Sequence, residues 1–382
     1  MDSAVSIRRA QSYAADPREA AREFHAAVAQ PDMALAVFFC SDQYDLDVLG
    51  LEVSLLFSGI QVVGCTTAGE IGPAGCRDLS ITGASFPSGS FTAASGGINH
   101  LQQFELSQAN TLVQDLRQRL ESVESGADEA NSFAILLIDG LSVREEPVAR
   151  ALQNALGKVP LVGGSAGDSL KFGRTHVYFG GAFHTDTAVL ILVTTPLPFK
   201  VFKTQHFVPT DQRVVVTAAD AEHRIVSEID GWPAAERYAR LIGTDVNSLD
   251  PTRFAAQPMV VLIDGMNYVR SIEKVNPDGS LTFFCAIEEG LVLRAARGVD
   301  LVENLENTFT KIRAEIGEPQ LVIGFDCILR KLEVVHEGLV DRVNAIFCDN
   351  KVVGFNGYGE QYRGAHVNQT LTGIAIGEVR NG

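Results

Sequence analysis

The sequence predicts an α+β fold of mixed α/β type, in which large mixed sheets carry helices on their outer faces. Strand–helix–strand patterns recur along the chain, further strands follow each of them, and parallel neighbours in such units require right-handed crossovers. Hydrophobic residues make up 46% of the 382 residues, enough to bury the cores of two or three domains. A layered α/β/β/α sandwich, with two sheets packed face to face, is one arrangement that fits.

The first half of the chain predicts an N-terminal helix followed by two similar units. Asp16 is a candidate N-cap and Pro17 suits the first helical position, so a helix occupies the N-terminal segment, residues 1–29. Apolar runs predict strands at 34–40, 60–64, 79–86, 91–98, 132–138, 160–162, 176–183 and 188–193. Helical spacing and flanking signals predict helices at 45–57, 106–123 and 145–156. Pro196 and Pro198 then break the chain, which places a domain boundary near residue 198.

The second half predicts the same pattern once more, after a region rich in strands. Strands are predicted at 213–217, 224–229, 260–263, 269–275, 281–286, 320–326, 351–353 and 368–376. Helices are predicted at 232–241, 301–316 and 339–347. The turn at 276–279, with the sequence Asn-Pro-Asp-Gly, joins two of the strands as a hairpin.

The composition excludes several classes of partner. Lys and Arg total 31 and Asp and Glu total 47, so the formal net charge is −16. A chain this acidic repels nucleic acid and anionic lipid, and we expect it to bind neither. No apolar run reaches the roughly 18 residues that span a bilayer, and the first residues do not resemble a secretory signal. The six cysteines form no Cys-x-x-Cys pair, so we expect reduced thiols and a cytoplasmic protein.

One glycine-acid loop occurs three times, each time after a strand–helix–strand unit and before further strands. We call its copies the signature loops: 63–70 (VGCTTAGE), 162–168 (VGGSAGD) and 353–360 (VGFNGYGE). Three copies in matched contexts indicate internal duplication. Their glycines let the backbone approach a neighbour or a ligand closely, and successive N–H groups in such turns form anion-binding nests.

The signature loops also contain residues that an enzyme would use. The stretch 163–167 fits the G-x-S-x-G pattern of a nucleophile elbow around Ser165, but that elbow requires a helix directly after the serine. The next residues, 168–179, predict a turn and then a strand, which favours a tight turn between packed strands. Cys65 has no histidine near it in the sequence and is more typical of a buried structural thiol. We therefore expect no enzyme.

Acidic residues and histidines near the loops are the remaining candidates for a site. We expect Glu70 and Asp168 to cap backbone N–H groups of their own turns, whereas Glu360 either caps its turn or lines a pocket. None of the eight histidines shows HExxH or another metal-binding spacing. His366 adjoins the richest motif, and His206 lies in an aromatic-flanked segment between the two halves, where ligand pockets tend to form.

The chain resembles a known family at these motifs. Its C-terminal half looks like the FIST C-terminal domain at 228–234 (EIDGWPA), 324–330 (GFDCILR), 353–360 and 368–370 (NQT). The first two signature loops look like the FIST N-terminal domain. The resemblance covers about residues 30–376 and implies a FIST N-terminal domain at 30–198 and a FIST C-terminal domain at 199–382. It implies a sensor module of signal transduction that binds small molecules such as amino acids.

A narrower resemblance lies in the segments 16–20 (DPREA) and 38–41 (FFCS). They look like the free-standing bacterial FIST proteins that bind haem and sense nitric oxide. This resemblance implies haem b held through a histidine, iron as the bound metal, and a partner histidine kinase in two-component regulation of biofilm behaviour. It does not assign the histidine, and our candidates for the metal ligand are His206 and His366. A homodimer is left open.

For the ligand pocket we predict Arg330, Phe355, Tyr358, Glu360 and Asn368. A haem-free sensor of an amino acid or a similar small molecule is the alternative function. In that case the N–H groups of the signature loops and Arg330 would hold a carboxylate, and Glu360 or Asp326 would hold an amine. An absorbance spectrum separates the two hypotheses, because only the haem protein has a Soret band that shifts with nitric oxide.

Overall fold

The computed structural model of the chain describes residues 6–123, 128, 130–263 and 265–378. The chain folds as three units with the same order of elements, numbered 1 to 3, and one insertion within unit 3. Unit 1 consists of β1 (Arg8–Ser12), α1 (Pro17–Val28), β2 (Met33–Ser41), α2 (Leu46–Leu56), β3 (Val62–Thr67), β4 (Glu70–Gly72), β5 (Gly75–Arg77) and β6 (Ile81–Pro87). Unit 2 consists of β7 (Thr92–Asn99), α3 (Leu106–Glu121), β8 (Ser132–Ile138), α4 (Glu145–Leu156), β9 (Leu161–Ser165), β10 (Val177–Phe179), β11 (Ala182–His184) and β12 (Thr187–Thr194).

Unit 3 is interrupted by the insertion. It opens with β13 (Phe199–Thr204). The insertion consists of β14 (Phe207–Asp220), β15 (Ile225–Ile229), β16 (Trp232–Pro233), α5 (Ala234–Leu241), α6 (Pro251–Ala256), β17 (Met259–Ile263), β18 (Met266–Arg270), β19 (Ile272–Val275), β20 (Leu281–Phe283) and β21 (Val292–Gly298). Unit 3 resumes with α7 (Leu301–Ile316), β22 (Pro319–Cys327), α8 (Ile328–His336), α9 (Val340–Asp349), β23 (Val352–Gly357), β24 (Glu360–Tyr362), β25 (Ala365–Val367) and β26 (Leu371–Gly377).

The three units share their strand register as well as their order. In each unit a parallel pair is formed by the strands on either side of the second helical segment, and a short hairpin and a closing strand follow. The matched positions at the ends of these pairs are Cys40 opposite Thr66, Ile138 opposite Ser165, and Asp326 opposite Asn356. The internal duplication predicted from the signature loops is therefore confirmed.

Each unit contributes its hairpin to the sheet of another unit. The three six-stranded sheets have the strand orders β1-β6-β2-β3-β10-β11, β7-β12-β8-β9-β24-β25 and β13-β26-β22-β23-β4-β5. The hairpin of unit 2 completes the sheet of unit 1, that of unit 3 completes unit 2, and that of unit 1 completes unit 3. Because this exchange is cyclic, no sheet of the three is formed by one continuous stretch of chain.

The inner faces of the three sheets enclose one apolar core, and helices cover their outer faces. On β2, Val37 and Phe39 point to the common core, whereas Phe38 and Cys40 belong to the layer under α1 and α2. The ring centroids of Phe39 and Phe355, from different sheets, are 4.8 Å apart within this core. The mixed α+β class is confirmed. Any two of the three sheets face each other with helices outside them, as in the α/β/β/α sandwich suggested by the sequence. The third sheet covers the open side between those two.

The insertion has its own eight-stranded sheet and its own core. It packs on unit 2 through Arg224, a buried residue that pairs with Glu145 at 2.5 Å and also with Glu146. The same guanidinium donates to the carbonyl of Phe284 at 2.8 Å. The insertion is thus held on the units by a buried ion-pair network as well as by its two covalent connections to unit 3.

Local sequence signals explain the elements that were predicted correctly. The side chain of Asp16 accepts from the backbone N–H of Arg18 and Glu19 at 3.0 Å, and Pro17 begins α1, as predicted. Helices α4 and α7 have the predicted bounds. The sequence did not predict α6, α8, β1 or β13. Helix α8 begins directly after a strand with no side-chain cap, so its start carries no polar signal. No helix among the described residues combines the length and apolarity needed to cross a bilayer.

Candidate functional site

The three signature loops meet and hydrogen-bond to one another in a closed ring. One set of N–H to O=C bonds runs from Gly167 to Thr66 (3.0 Å), from Tyr358 to Ser165 (3.2 Å) and from Ala68 to Asn356 (2.8 Å). The other runs from Thr66 to His176 (2.9 Å), from Ser165 to Gly359 (2.8 Å) and from Asn356 to Gly69 (2.8 Å). These six N–H groups are bonded to protein carbonyls, so in this structure they are not available to an anion or a ligand carboxylate. The ring joins the three units.

The three acidic residues that the sequence aligned are not equivalent in the structure. Glu70 and Glu360 each begin a hairpin strand and accept bonds from the residue just before the closing strand. Glu70 accepts from the N–H and hydroxyl of Ser80 at 3.0 and 2.8 Å, and Glu360 from those of Thr370 at 3.3 and 2.7 Å. In unit 2 this position is held by Val177, because a longer loop precedes the hairpin.

Asp168 instead caps its own loop. It accepts the backbone N–H groups of Phe172 (3.0 Å), Gly173 (2.7 Å) and Arg174 (2.9 Å), and the hydroxyl of Tyr358 donates to it. A turn-capping role was expected for Asp168, and the geometry confirms it. The chain after Ser165 forms no helix before β10, as expected, and so lacks the strand-to-helix turn of a nucleophile elbow.

The buried carboxyl of Glu70 makes stability depend on pH. Burial raises the pKa of Glu70 to about 7 from 4.5, although hydrogen bonds from Thr67 and Ser80 oppose the shift. The folded state therefore holds this proton more tightly than the unfolded chain. The stability contribution is complete below pH 4.5 and is lost as the pH rises through about 7. Between pH 4.5 and 7 the free energy of unfolding of the parent protein is expected to fall by about 3 kcal/mol through this carboxyl. Glu70→Gln is expected to remove that fall, and urea unfolding at several pH values measures it. The exposed Glu121→Gln variant is the control, and an unchanged pH slope in Glu70→Gln would contradict the assignment.

A cavity of about 160 Å³ lies at the carboxyl ends of the parallel strands β22 and β23. We call it the Asp326 cavity. Asp326 and Asn356, the opposed residues of this strand pair, line it together with Lys331 of α8. Cys76 and Asp78 reach it from the hairpin of unit 1. Helices α8 and α9 supply a mostly apolar wall of Val334, Val335, Val340, Val343 and Phe347, together with the polar Asn344. Ligands of sheets with parallel strands bind at such strand ends.

The polar side of the Asp326 cavity combines both signs of charge. Lys331 Nζ donates to Asp78 Oδ1 at 2.5 Å and to the carbonyl of Ala68 at 2.9 Å. Asn356 Nδ2 donates to Asp326 Oδ2 at 3.1 Å, and the Cys76 thiol donates to Asn356 Oδ1 at 3.1 Å. Burial raises the pKa of Cys76 to about 12, so this thiol is a hydrogen-bond donor and not a thiolate nucleophile.

A chain of buried side chains connects Asp326 to the base of the insertion. Arg330 Nε donates to Asp326 Oδ1 at 2.7 Å, and Arg330 Nη1 lies 3.0 Å from His206 Nδ1. Because arginine only donates, His206 Nδ1 accepts and its Nε2 donates to Glu333 Oε1 at 2.8 Å. Burial lowers the pKa of His206, in keeping with this neutral ring. Burial also raises the pKa of Asp326, an effect that the Arg330 charge opposes.

The predicted pocket residues lie in several places. Arg330 belongs to the chain just described, beside the Asp326 cavity. Phe355 lies in the common core, where its ring centroid is 5.5 Å from that of Phe325. Tyr358 stacks on Phe172 at 4.9 Å, and its hydroxyl is engaged by the loop of unit 2. None of these three side chains lines the Asp326 cavity.

Glu360, His366 and Asn368 lie in a polar layer between unit 3 and the insertion. His366 Nε2 is 3.3 Å from the carbonyl of Phe284, and Gln369 Nε2 donates to the carbonyl of Phe254 at 3.2 Å. Five buried atoms of this layer find no hydrogen-bond partner among the described residues: Glu360 Oε1, Gln361 Oε1, Asn368 Oδ1, Asn368 Nδ2 and Gln369 Oε1. Protein interiors satisfy such atoms with water or a ligand. Burial raises the pKa of Glu360 well above its usual range, which favours the neutral form of this carboxyl.

The two candidate histidines do not fit haem iron in this conformation. Iron needs a free imidazole nitrogen facing an apolar slot. Both ring nitrogens of His206 are in hydrogen bonds. His366 Nδ1 lies 3.3 Å from Gln361 Nε2, and its Nε2 faces a carbonyl oxygen. Both rings are buried, and the described part of the chain holds no group of three or more His, Cys, Asp or Glu placed to bind a metal ion.

Two family models together match most of the chain. The FIST N domain model matches residues 34–232, and the FIST C domain model matches residues 234–363. The chain belongs to the FIST family. FIST domains are sensory signalling domains, and the Asp326 cavity lies within the part that the FIST C model matches, with the hairpin of unit 1 contributed by the FIST N part.

Comparison with other proteins adds two weaker likenesses. This FIST protein is 24% identical over 190 residues to an uncharacterized protein of Methanocaldococcus jannaschii. That match covers 46% of this chain and 36% of the relative, so the chain spans only about a third of the curated protein it matches. A solved structure of cyanuric acid hydrolase aligns with 97% of this chain and 99% of its own, at 10% identity and a TM-score of 0.36, which is a weak likeness.

Sequence reasoning named Asp326 but missed the other polar residues of its cavity. Asn356 was detectable, because pairing the two strands of the predicted unit puts it opposite Asp326. Lys331 adjoins the predicted Arg330 and carried no signal of its own. Cys76 and Asp78 come from another unit, more than 240 positions away in sequence by their numbering. Only the hairpin exchange brings them to the cavity.

Proposed function

We propose that this FIST protein is a non-catalytic sensor of a small zwitterionic metabolite, such as an amino acid, that binds in the Asp326 cavity. The observation that carries the proposal is that one wall of the cavity presents both a carboxylate, Asp326, and an ammonium, Lys331. The opposite wall is mostly valines and a phenylalanine. Asp326 receives the ligand amine, Lys331 its carboxylate, and the apolar wall its side chain. A volume of about 160 Å³ limits the ligand to a small side chain.

Charge and hydrogen bonding support this orientation. Asp326 is buried and keeps an oxygen that only the amide of Asn356 contacts, so a ligand ammonium offsets the cost of ionising it. Lys331 pairs with Asp78, whose side chain is 68% exposed. Solvent around Asp78 screens this pair, although Lys331 itself is only 20% exposed, so a ligand carboxylate can compete for Lys331.

The signal leaves the cavity through the buried chain of Asp326, Arg330 and His206. A ligand ammonium at Asp326 competes with the Arg330 guanidinium for the same carboxylate. His206 directly precedes β14, and its carbonyl accepts the N–H of Val299 at 2.8 Å, so it closes the base of the insertion. Displacement of Arg330 thus acts on the two segments, near His206 and Val299, that connect the insertion to unit 3. The bound ligand then favours one of two positions of the insertion relative to the units.

Calorimetric titration with a panel of amino acids tests the proposal. We expect Lys331→Met and Asp326→Asn each to weaken binding at least about tenfold, because each removes a charged partner of the ligand. Lys171→Met, which removes an exposed lysine paired with Asp42, is the matched control and is expected to bind normally. Far-UV circular dichroism checks that the variants fold. The proposal fails if no amino acid binds, or if both folded variants bind as tightly as the parent.

The haem-based nitric oxide sensor and its partner histidine kinase stay predictions from the narrower resemblance. The hydrogen bonds on His206 and His366 mean that haem binding requires one of these rings to be released first. Titration of the protein with haem, followed at the Soret band with and without nitric oxide, tests this function. A Soret band that His206→Ala or His366→Ala abolishes would support the haem-based function. A protein that stays colourless would contradict it and favour the haem-free sensor. The cytoplasmic location and a homodimer likewise stay predictions.

A further inference from the structure

A second cavity, of about 580 Å³, lies along β13 and α7 and shares no lining residue with the Asp326 cavity. We call it the lysine groove. Its walls come from the edge strand β13, from one face of α7, from Asn267 in β18 of the insertion, and from Tyr362 in the hairpin of unit 3. The groove therefore spans the insertion and the body of the units, and pockets at such junctions are common ligand sites.

The charge of the lysine groove opposes that of the whole protein. The chain carries a formal charge of −16, yet the groove is lined by Lys200, Lys203 and Lys311 against a single carboxylate, Glu315. Lys200 pairs with Glu315 at 2.5 Å. Neither Lys203 nor Lys311 has a carboxylate within ion-pair distance in the part of the chain that the structure describes. The groove thus holds two ammonium groups that the described residues do not neutralise.

Of these two lysines, Lys203 gives the stronger evidence for an anion site. Its ammonium lies 4.7 Å from the ring centroid of Tyr268 and 5.9 Å from that of Tyr362, so aromatic faces replace part of its water shell. Burial lowers the pKa of Lys203, because partial removal from water disfavours its charged form. An anion in the groove would favour that charged form. Amide groups of Asn267 and Asn307, for which the described residues offer no hydrogen-bond partner, line the same space.

We propose that the lysine groove binds a small polyanion, a phosphate-bearing or polycarboxylate metabolite, with Lys203 and Lys311 as its charge partners and Asn267 and Asn307 as its hydrogen-bond donors. Lysine ammonium groups bind phosphate and carboxylate oxygens as point charges, so spacing of charges selects the ligand. Because Asn267 belongs to the insertion and Lys311 to unit 3, the bound anion bridges the two bodies. It holds the insertion at this position on the units.

Calorimetry with inorganic pyrophosphate and with citrate tests the proposal on the full chain. We expect at least one of them to bind, with an affinity that falls as salt is added. Lys203→Met and Lys311→Met are each expected to weaken that binding about tenfold, whereas Lys203→Arg retains most of it. Lys274→Met is the matched control, since this exposed lysine lies on the insertion outside the groove.

The outcomes separate the ligand classes and this site from the amino-acid site. Binding of pyrophosphate alone assigns a phosphate-bearing ligand, binding of citrate alone assigns a polycarboxylate, and binding of both shows selection by charge. All three support the proposal. Absence of binding to both probes overturns it, as does unchanged affinity in Lys203→Met and Lys311→Met when circular dichroism shows both to be folded. Asp326→Asn is expected to leave pyrophosphate binding unchanged, so failure at one cavity is distinguishable from failure at the other.

Discussion

Replacing Gly354 with alanine is expected to lower the free energy of unfolding by about 3 kcal/mol or more. Gly354 lies in β23 directly opposite Gly324 of β22, and both are buried. A Cβ added to Gly354 would lie under 3.0 Å from the carbonyl oxygen and the carbonyl carbon of Gly324, a distance that real Cβ atoms essentially never show, and 3.0 Å from its amide nitrogen. These are backbone atoms, so relief requires the parallel strands to separate. Urea unfolding followed by far-UV circular dichroism measures the loss.

The duplication supplies further tests of the same cause. Gly163 and Gly64 are the matched glycines of units 2 and 1, and their added Cβ atoms would also meet backbone oxygens, of Leu136 and Phe38, at under 3.0 Å. Both alanine variants are therefore expected to destabilise the protein. Gly89→Ala is the control, because an added Cβ there meets no atom within 4 Å, and a change within about 0.5 kcal/mol is expected. A Gly354→Ala variant as stable as Gly89→Ala would show that the strand register is not the one described.

Arg330→Met is expected to lower the free energy of unfolding by about 3 to 5 kcal/mol at pH 7. Arg330 is 1% exposed and is among the largest fully buried side chains of the described residues. Its loss leaves the Asp326 carboxylate buried with only the amide of Asn356 as a partner, and it leaves His206 Nδ1 without a donor. An uncompensated buried charge is among the most destabilising of single changes. Urea unfolding at pH 7 measures the effect.

A double variant separates the charge effect from lost packing. Adding Asp326→Leu to Arg330→Met removes the orphaned carboxylate, so the pair is expected to recover much of the stability that the single variant loses. The exposed pair of Arg119 and Asp115 gives the surface reference, since their side chains are 45% and 57% exposed, and Arg119→Met is expected to cost less than about 1 kcal/mol. Equal losses for Arg330→Met and Arg119→Met would contradict a buried ion pair at Asp326.

Local structure was predictable wherever the signal is local. The Asp16 cap with Pro17, the bounds of α4 and α7, and the turn at Gly279 all follow from residues within one or two turns of chain. The signature loops were recognised as repeats for the same reason, since each copy is a short run of glycines at fixed positions. Their alignment was wrong at Asp168, because unit 2 lengthens its loop and the sequence gives no sign of where the extra residues begin.

The glycines of the signature loops are compatible with two roles. Glycines that admit a close backbone neighbour are required equally by a ligand and by a parallel strand. Sequence cannot tell which of these a glycine faces. In the structure Gly354 faces Gly324, and six loop N–H groups close the ring between the units, which is why the ligand site is proposed at side chains of the strand ends.

The sequence by itself determined the repeated units, most of their helices and strands, the acidic charge and the motifs that resemble the FIST family. Only the tertiary structure decided that hairpins are exchanged between units, that Asp326 meets Lys331 and Cys76 at one cavity, and that three lysines line one groove. The physical reason is the range of the interactions. Caps, periodicity and turns act between residues a few positions apart, whereas strand exchange pairs Phe355 with Glu70 and is selected by burial of the common core.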